Sequence, residues 1–200
     1  MAQIALSKAQ LAREKSALAM YRRYLPSLDL KRQQLMAERK RAETRVAEMI
    51  ARIADRVEGI GAEIPMLADR SIDLDGLVRL SSVRFGERSI VGVRVPTVEE
   101  IEVEVASYGY LTRPHWVDSV ASRLKEVLRL RVEVKIAERE IVLLDSAVAR
   151  VTQRVNLFDK VLIPEAQANI RQIGIKLSDN ERSAVVNSKI GKRKREAARA

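Results

Sequence analysis

The chain has 200 residues, of which 32% are charged and only 4% are aromatic, and it carries a formal net charge of +10 with no cysteine. The lack of cysteine excludes disulfides, thiolate nucleophiles and thiolate metal sites. No apolar run is long enough to span a bilayer, and Met1–Leu6 lacks the basic start of a signal peptide. These features predict a cytoplasmic protein whose many charges cover exposed helix faces.

A heptad repeat of apolar residues runs through residues 1–62. The a positions are Ile4, Leu11, Leu18, Leu25, Val46, Ile53 and Ile60, and the d positions include Tyr21, Leu28, Leu35, Ala42 and Met49. Arg32 and Arg39 interrupt the a series, where their methylenes can lie along the seam formed by the a and d residues. The pattern predicts a coiled-coil helix, bent where Pro26 removes a hydrogen bond.

Residues 63–112 lack this repeat and favour short strands. Ser89–Pro96 is β-rich and ends at a proline, and Leu77–Phe85 allows another strand. Ile101–Val105 alternates apolar and acidic residues with period two, which is typical of a half-exposed strand. We expect a β-hairpin or small sheet that projects from the helices and is packed on one face.

A second heptad repeat predicts a coiled-coil helix over residues 113–190. Its a positions are Val120, Val127, Val134, Ile141, Val148, Val155 and Leu162, and its d positions are Leu130, Ala137, Leu144, Val151 and Phe158. Thr112 or Arg113 would cap this helix, with Pro114 in the first turn. Around Pro164 the apolar spacing becomes 4-4-3-4 from Leu162 to Leu177, a stutter that predicts a kink and local unwinding.

Two seams separated by a region without the repeat favour a single architecture. The predicted fold is mainly α: the N- and C-terminal segments form a long antiparallel two-helix coiled coil, with a β-hairpin region in the middle and a basic tail at 191–200. At ~1.5 Å per residue the helices would reach about 85 and 115 Å, giving one elongated domain. Parallel self-dimerisation of each helix is the alternative.

The sequence offers no catalytic, cofactor-binding or metal-binding residues, and we expect no enzyme activity and no cofactor. The only histidine, His115, stands at a helix start beside Pro114 and is interpreted as a local structural residue. Trp116 and Phe158 are interpreted as packing residues. Glycines are scattered at turns and form no phosphate-binding loop.

The positive charge leaves a second class of function open. Lys189, Lys192, Arg193, Lys194, Arg195 and Arg199 face only Glu196 near the C-terminus. A basic coiled coil that binds nucleic acid or an anionic membrane would show affinity that falls steeply with salt. However, no aromatic residue is interleaved with the basic ones to stack on bases. A coiled-coil scaffold that oligomerises through its seams is a further alternative.

Several motifs in order resemble one protein family. Arg154-Val155-Asn156 followed by Ile163-Pro164 is similar to the C-terminal signature of the D subunit of V-type and archaeal-type rotary ATPases. The likeness continues through Ala168–Ile173, Leu177 and Glu181-Arg182, and also covers Lys31–Leu35 and Val91–Pro96. The chain departs from the family at Leu157–Asp159, where Ala-Leu-Glu is usual, at Val186–Lys192 and at Pro26.

The resemblance implies a central rotor subunit. It implies contacts with the catalytic and non-catalytic nucleotide-binding subunits of the head, with the small F subunit of the central stalk, and with the funnel-shaped subunit on the membrane rotor ring. Both ends of the coiled coil would insert into the head, so that the basic stretch Lys189–Arg199 would lie in or near its bore. The chain would transmit torque, without insertion into the membrane and without binding nucleic acid.

Overall fold

A computed structural model describes residues 5–68, 72, 74–108 and 114–197. The elements are α1 (Lys8–Glu63), a 3₁₀ turn (Pro65–Ala68), β1 (Val78–Ile90), β2 (Val93–Val105), α2 (Trp116–Leu157), a π-helical turn (Phe158–Leu162) and α3 (Ile163–Ala197). The predicted mainly α fold with a central β-hairpin is confirmed. The chain divides into a central unit, Arg32–Ala149, and a terminal unit, Met1–Lys31 with Arg150–Ala200.

In the central unit, α1 and α2 pack side by side in opposite directions. Ion pairs between described residues join the helices, among them Arg39 with Asp145 at 3.1 Å, Arg45 with Glu140 at 3.3 Å, Arg56 with Glu126, and Glu63 with Arg123. As the residue numbers of the paired side chains increase along α1, those of their partners on α2 decrease. This is the antiparallel arrangement that the two seams predict. The predicted seam residues Leu35, Ala42, Val46, Met49, Val134, Ala137 and Leu144 are all buried.

A cluster of apolar residues closes the end of the central unit where the two helices meet the loops. Ile64, Leu77, Trp116, Val117, Val120 and Ala121 form this cluster. Trp116 is a packing residue, as predicted, because it is buried within the cluster. Helix α2 begins at Trp116, so Pro114 lies just before the helix and its carbonyl accepts the Val117 N–H at 3.1 Å. The predicted caps Thr112 and Arg113 lie outside the described residues.

The two strands form an antiparallel hairpin whose register runs from Val78 opposite Val105 to Ile90 opposite Val93. Val91 and Gly92 make the turn, with φ of 51° and 79°. The prediction of one strand over Ser89–Pro96 is therefore wrong, because this segment contains the turn. Pro96 does not end β2, because both strands of a two-stranded sheet keep a free edge that tolerates a missing N–H.

The hairpin lies along the helices of the central unit, so the prediction that it projects from them is wrong. At its base Leu77 belongs to the cluster with Val120, and near its turn Arg88 contacts Glu140. The ten steps from Val78 to Arg88 along β1 span about 33 Å, and α2 rises ~30 Å from Val120 to Glu140. The two lengths agree, as they must for a ribbon laid along a helix.

In the terminal unit, the N-terminal part of α1 packs against the chain from Arg150 onward, again in the antiparallel sense. Tyr21 meets Phe158 edge to face, with ring centroids 5.4 Å apart, which confirms Phe158 as a packing residue. Further along, Lys8 pairs with Glu181 at 3.7 Å. The buried residues of the C-terminal segment are Val151, Val155, Ala166 and Ile173.

A π-helical turn lies directly before the Ile163-Pro164 pair. The N–H of Ile163 bonds to the carbonyl of Phe158, five residues earlier, where an α-helix would reach back four. This turn is the local unwinding that the 4-4-3-4 spacing predicts. It takes up one extra residue and so returns Ala166 and Ile173 to the buried side of the helix. Pro26, in contrast, lies within α1, which continues through it.

Candidate functional site

The C-terminal end of α3 is an exposed helical surface, here called the tip, that spans Glu181–Ala197. Every residue from Ser178 to Ile190 is exposed, and from Glu181 the helix continues for about 24 Å. The sequence predicts a helix that ends near Ile190 with a separate tail. The helix instead runs to Ala197, because the Lys- and Arg-rich segment has good helix propensity and suits a C-terminal helix end.

The tip combines apolar and basic side chains. Val185, Val186 and Ile190 are 56%, 54% and 48% exposed. The basic side chains are Lys189, Lys192, Arg193, Lys194 and Arg195; of these, Lys192 lies 4.0 Å from Glu196. The predicted basic residues through Arg195 therefore share one helical segment, whereas Arg199 lies outside the described residues. The tip therefore presents exposed aliphatic side chains among cationic ones.

A second notable feature is a buried carboxylate that joins three elements of the central unit. Glu140 of α2 is the buried charged residue of the described chain, with its side chain 6% exposed. Its Oε1 accepts hydrogen bonds from Arg45 of α1 at 3.3 Å and from Arg88 of β1 at 2.7 Å. The two guanidinium groups offset the cost of burying the carboxylate. Sequence reasoning missed this group, because helix faces rich in Glu and Arg give no signal for one buried member.

The outward face of the hairpin, which carries Phe85, was also missed. Phe85 is 62% exposed, and it lies opposite Val98 in the strand register. A signal was present, because the chain has only two phenylalanines and one stands among polar residues at Arg84–Arg88. Glu100, Glu102 and Glu104 line the same face, since they alternate along β2 with the buried Val95 and Val103.

The described residues contain no group of three or more His, Asp or Glu side chains placed to hold a metal ion. His115 lies exposed in the turn before α2. None of the described helices combines the length and apolar character needed to cross a bilayer.

Comparison with known proteins gives consistent matches over nearly the whole chain. The family model that describes the D subunit of ATP synthase matches residues 10–193. The V-type ATP synthase D subunit of Borreliella burgdorferi is 36% identical over 192 residues, covering 96% of this chain and 95% of that protein. The protein of the same name from Chlamydia pneumoniae is 32% identical over 203 residues, covering 99% and 96%. The one from Chlamydia felis is 32% identical over 197 residues, covering 96% and 93%.

Proposed function

Because the chain belongs to the ATP synthase D subunit family and so to a V-type ATP synthase complex, we propose that it is the central rotor shaft of that complex. In this role it transmits torque between the nucleotide-binding head and the membrane ring that translocates ions. The chain itself is not catalytic. It works on the cytoplasmic side, peripheral to the membrane. The observation that carries the proposal is the antiparallel helix packing together with an exposed basic and apolar tip.

The helix packing supports torque transmission for a physical reason. A twisting load on one helix must be passed to the other without sliding or local unfolding. Seam residues such as Leu35 and Leu144, both fully buried, resist sliding because close packing would have to be broken for one helix to slip past the other. Interhelical ion pairs such as Arg39–Asp145 add orientation-dependent contacts along the outside. Buried packing supplies the stiffness, and the exposed pairs contribute little energy.

The tip is proposed to lie in the bore formed by the catalytic and non-catalytic subunits of the head. A rotating tip must contact successive subunits without binding any of them permanently. Its apolar patch of Val185, Val186 and Ile190 is small and flanked by solvated lysines and arginines, which limits the energy of each contact. The proposed partners also include the small F subunit of the central stalk and the funnel-shaped subunit that links to the membrane ring.

Charge neutralisation at the tip tests this proposal. We would replace Lys189, Lys192, Arg193 and Lys194 with glutamine and measure assembly with the head and ATP-driven rotation in the purified complex. The matched control neutralises four exposed arginines away from the tip: Arg22, Arg23, Arg52 and Arg129. We expect the tip variant to lose assembly or coupling while the control retains both. Unchanged assembly and rotation in the tip variant would reject the placement of the tip in the bore.

A further inference from the structure

The outward face of the hairpin exposes a large aromatic side chain. Phe85 is 62% exposed, the highest value among the large apolar side chains of the described residues. It pairs across the strands with Val98, next to the irregularity between Arg84 and Phe85 where β2 carries one extra residue. Such an irregularity re-aims neighbouring side chains and is common beside functional sites. An exposed phenylalanine with an aliphatic neighbour forms a small apolar centre of the kind that anchors protein contacts.

The opposite face of the hairpin is held firmly, so the exposure of Phe85 does not come from a loose ribbon. Val95 and Val103 of β2 are buried. Near the turn, Arg88 donates a 2.7 Å hydrogen bond to the buried Glu140, and at the base Leu77 lies in the apolar cluster of α2. A surface fixed at both ends loses little conformational entropy when a partner binds.

The face that carries Phe85 is acidic, in a chain with a net charge of +10. Glu100, Glu102 and Glu104 follow one another on this side of β2. The hydroxyl of Ser82 donates to Glu102 at 2.6 Å and that of Ser81 donates to Glu104 at 2.8 Å, so both carboxylates are oriented without being neutralised. Glu100 forms an ion pair with Arg84 at 3.2 Å, and Arg79 lies opposite Glu104 in the strand register. The three carboxylates outnumber these two arginines, so the row keeps a net negative charge.

We propose that this face, comprising Phe85, Val98, Glu100, Glu102 and Glu104, docks a basic segment of another protein that places an apolar side chain against Phe85. Lysine or arginine side chains of the partner pair with the carboxylate row. The charge sign disfavours nucleic acid and anionic lipid, both of which the carboxylates would repel. The inference rests on the proposed function only in taking the partner from the same complex.

Photo-crosslinking in the assembled complex tests this inference. The variant Phe85→p-benzoylphenylalanine is incorporated, the purified complex is irradiated, and the joined peptide is identified by mass spectrometry. We expect a peptide of another subunit, rich in lysine or arginine and containing an apolar residue at the site of attachment. A cross-link to a second copy of this chain, to lipid or only within the chain would overturn the proposal, as would attachment to an acidic peptide or the absence of any cross-link.

A charge variant supplies the second measurement. Combining Glu100→Gln, Glu102→Gln and Glu104→Gln should lower the cross-link yield from position 85 by about threefold or more, because the attractive charges are lost. The matched control replaces Glu48, Glu58 and Glu133, which are exposed on helices, with glutamine and should leave the yield unchanged. An unchanged yield in the hairpin variant would contradict the charge argument. The proposed rotor function is tested separately at the tip, so either proposal can fail alone.

Discussion

Arg88, three residues before the hairpin turn, donates from Nη2 to Oε1 of Glu140 over 2.7 Å, and the same oxygen accepts a hydrogen bond from Arg45. One carboxylate thus ties a strand to both helices of the central unit. Because the side chain of Glu140 is 6% exposed whereas each arginine is 43% exposed, the carboxylate is the desolvated member. Loss of its charge should affect the hairpin and the helix pair together.

Replacement of Glu140 with glutamine tests this link. We expect the free energy of unfolding to fall by about 1–2 kcal/mol, because two charge-assisted hydrogen bonds weaken while the partly exposed arginines regain water. Urea unfolding measures the change, and hydrogen exchange should show faster exchange in β1 and β2. Glu138→Gln is the control, since Glu138 is exposed and pairs with Lys135 one turn away on the same helix, at 3.7 Å. Equal stability of the two variants would contradict the role of Glu140.

The hairpin turn predicts a stabilising substitution. Val91 adopts φ of 51°, a left-handed conformation that costs a β-branched residue about 1 kcal/mol or more. Asparagine accepts this conformation readily, and a two-residue turn with positive φ at both positions favours Asn-Gly. Val91→Asn should therefore raise the melting temperature, and Gly92→Ala should lower it, because Gly92 has φ of 79°. A lower melting temperature for Val91→Asn would contradict this account of the turn.

The π-helical turn predicts that one position in the C-terminal segment tolerates a deletion. Removing Lys160 should convert Phe158–Leu162 to ordinary α-helix, because this turn holds one residue more than an α-helical turn. The buried side of α3 then keeps its direction, and we expect the free energy of unfolding to change by less than ~1 kcal/mol.

The matched deletion is Lys135 in the middle of α2, an equally exposed lysine in a regular helix. Its deletion rotates the later residues of α2 by ~100° about the helix axis and moves Ala137 and Leu144 off the seam. This variant should lose more than ~3 kcal/mol in urea unfolding. If both deletions cost the same, the turn does not correct the register of the seam.

The apolar patch of the tip should matter for assembly and not for folding. Combining Val186→Ser with Ile190→Ser removes two exposed side chains, so the free energy of unfolding of the isolated chain should change by less than ~0.5 kcal/mol. Affinity for the head should fall by about tenfold or more, since apolar anchors dominate protein interfaces. The control pair is Ile50→Ser with Val57→Ser, on an exposed side of α1. Unchanged affinity in the tip variant would exclude the patch from the contact with the head.

The parts of this fold that follow from local periodicity were predictable from the sequence. Buried Leu35 and Leu144 stand at predicted d positions, and the stutter that begins at Leu162 directly follows the π-helical turn. The position of the hairpin was not predictable. Apolar and polar residues alternate with a period of two both in a hairpin that projects from the helices and in one that lies along them. Its attachment depends on Arg88 meeting Glu140, a contact between residues distant in sequence. Local patterns carry no information on such pairs.

The hairpin turn and the tip also show which features local sequence patterns predict and which they do not. Val91 was assigned to a strand because β-branched residues favour strands, and only the pairing of Ile90 with Val93 forces it into a turn. At the tip, the basic residues were identified as a possible contact surface from charge alone. Their alignment with Val186 and Ile190 on one helix became evident only when α3 was found to continue to Ala197.

Direct observation of rotation tests the central claim, that this chain turns within the head. The chain has no cysteine, so Met66→Cys, at an exposed position in the loop end of the central unit, provides a single attachment point for a bead. With the head of the purified complex fixed to a surface, we predict unidirectional rotation of the bead that requires ATP and stops when ATP is removed. A bead that stays still while the same complexes hydrolyse ATP would contradict the assignment of this chain as the rotor shaft.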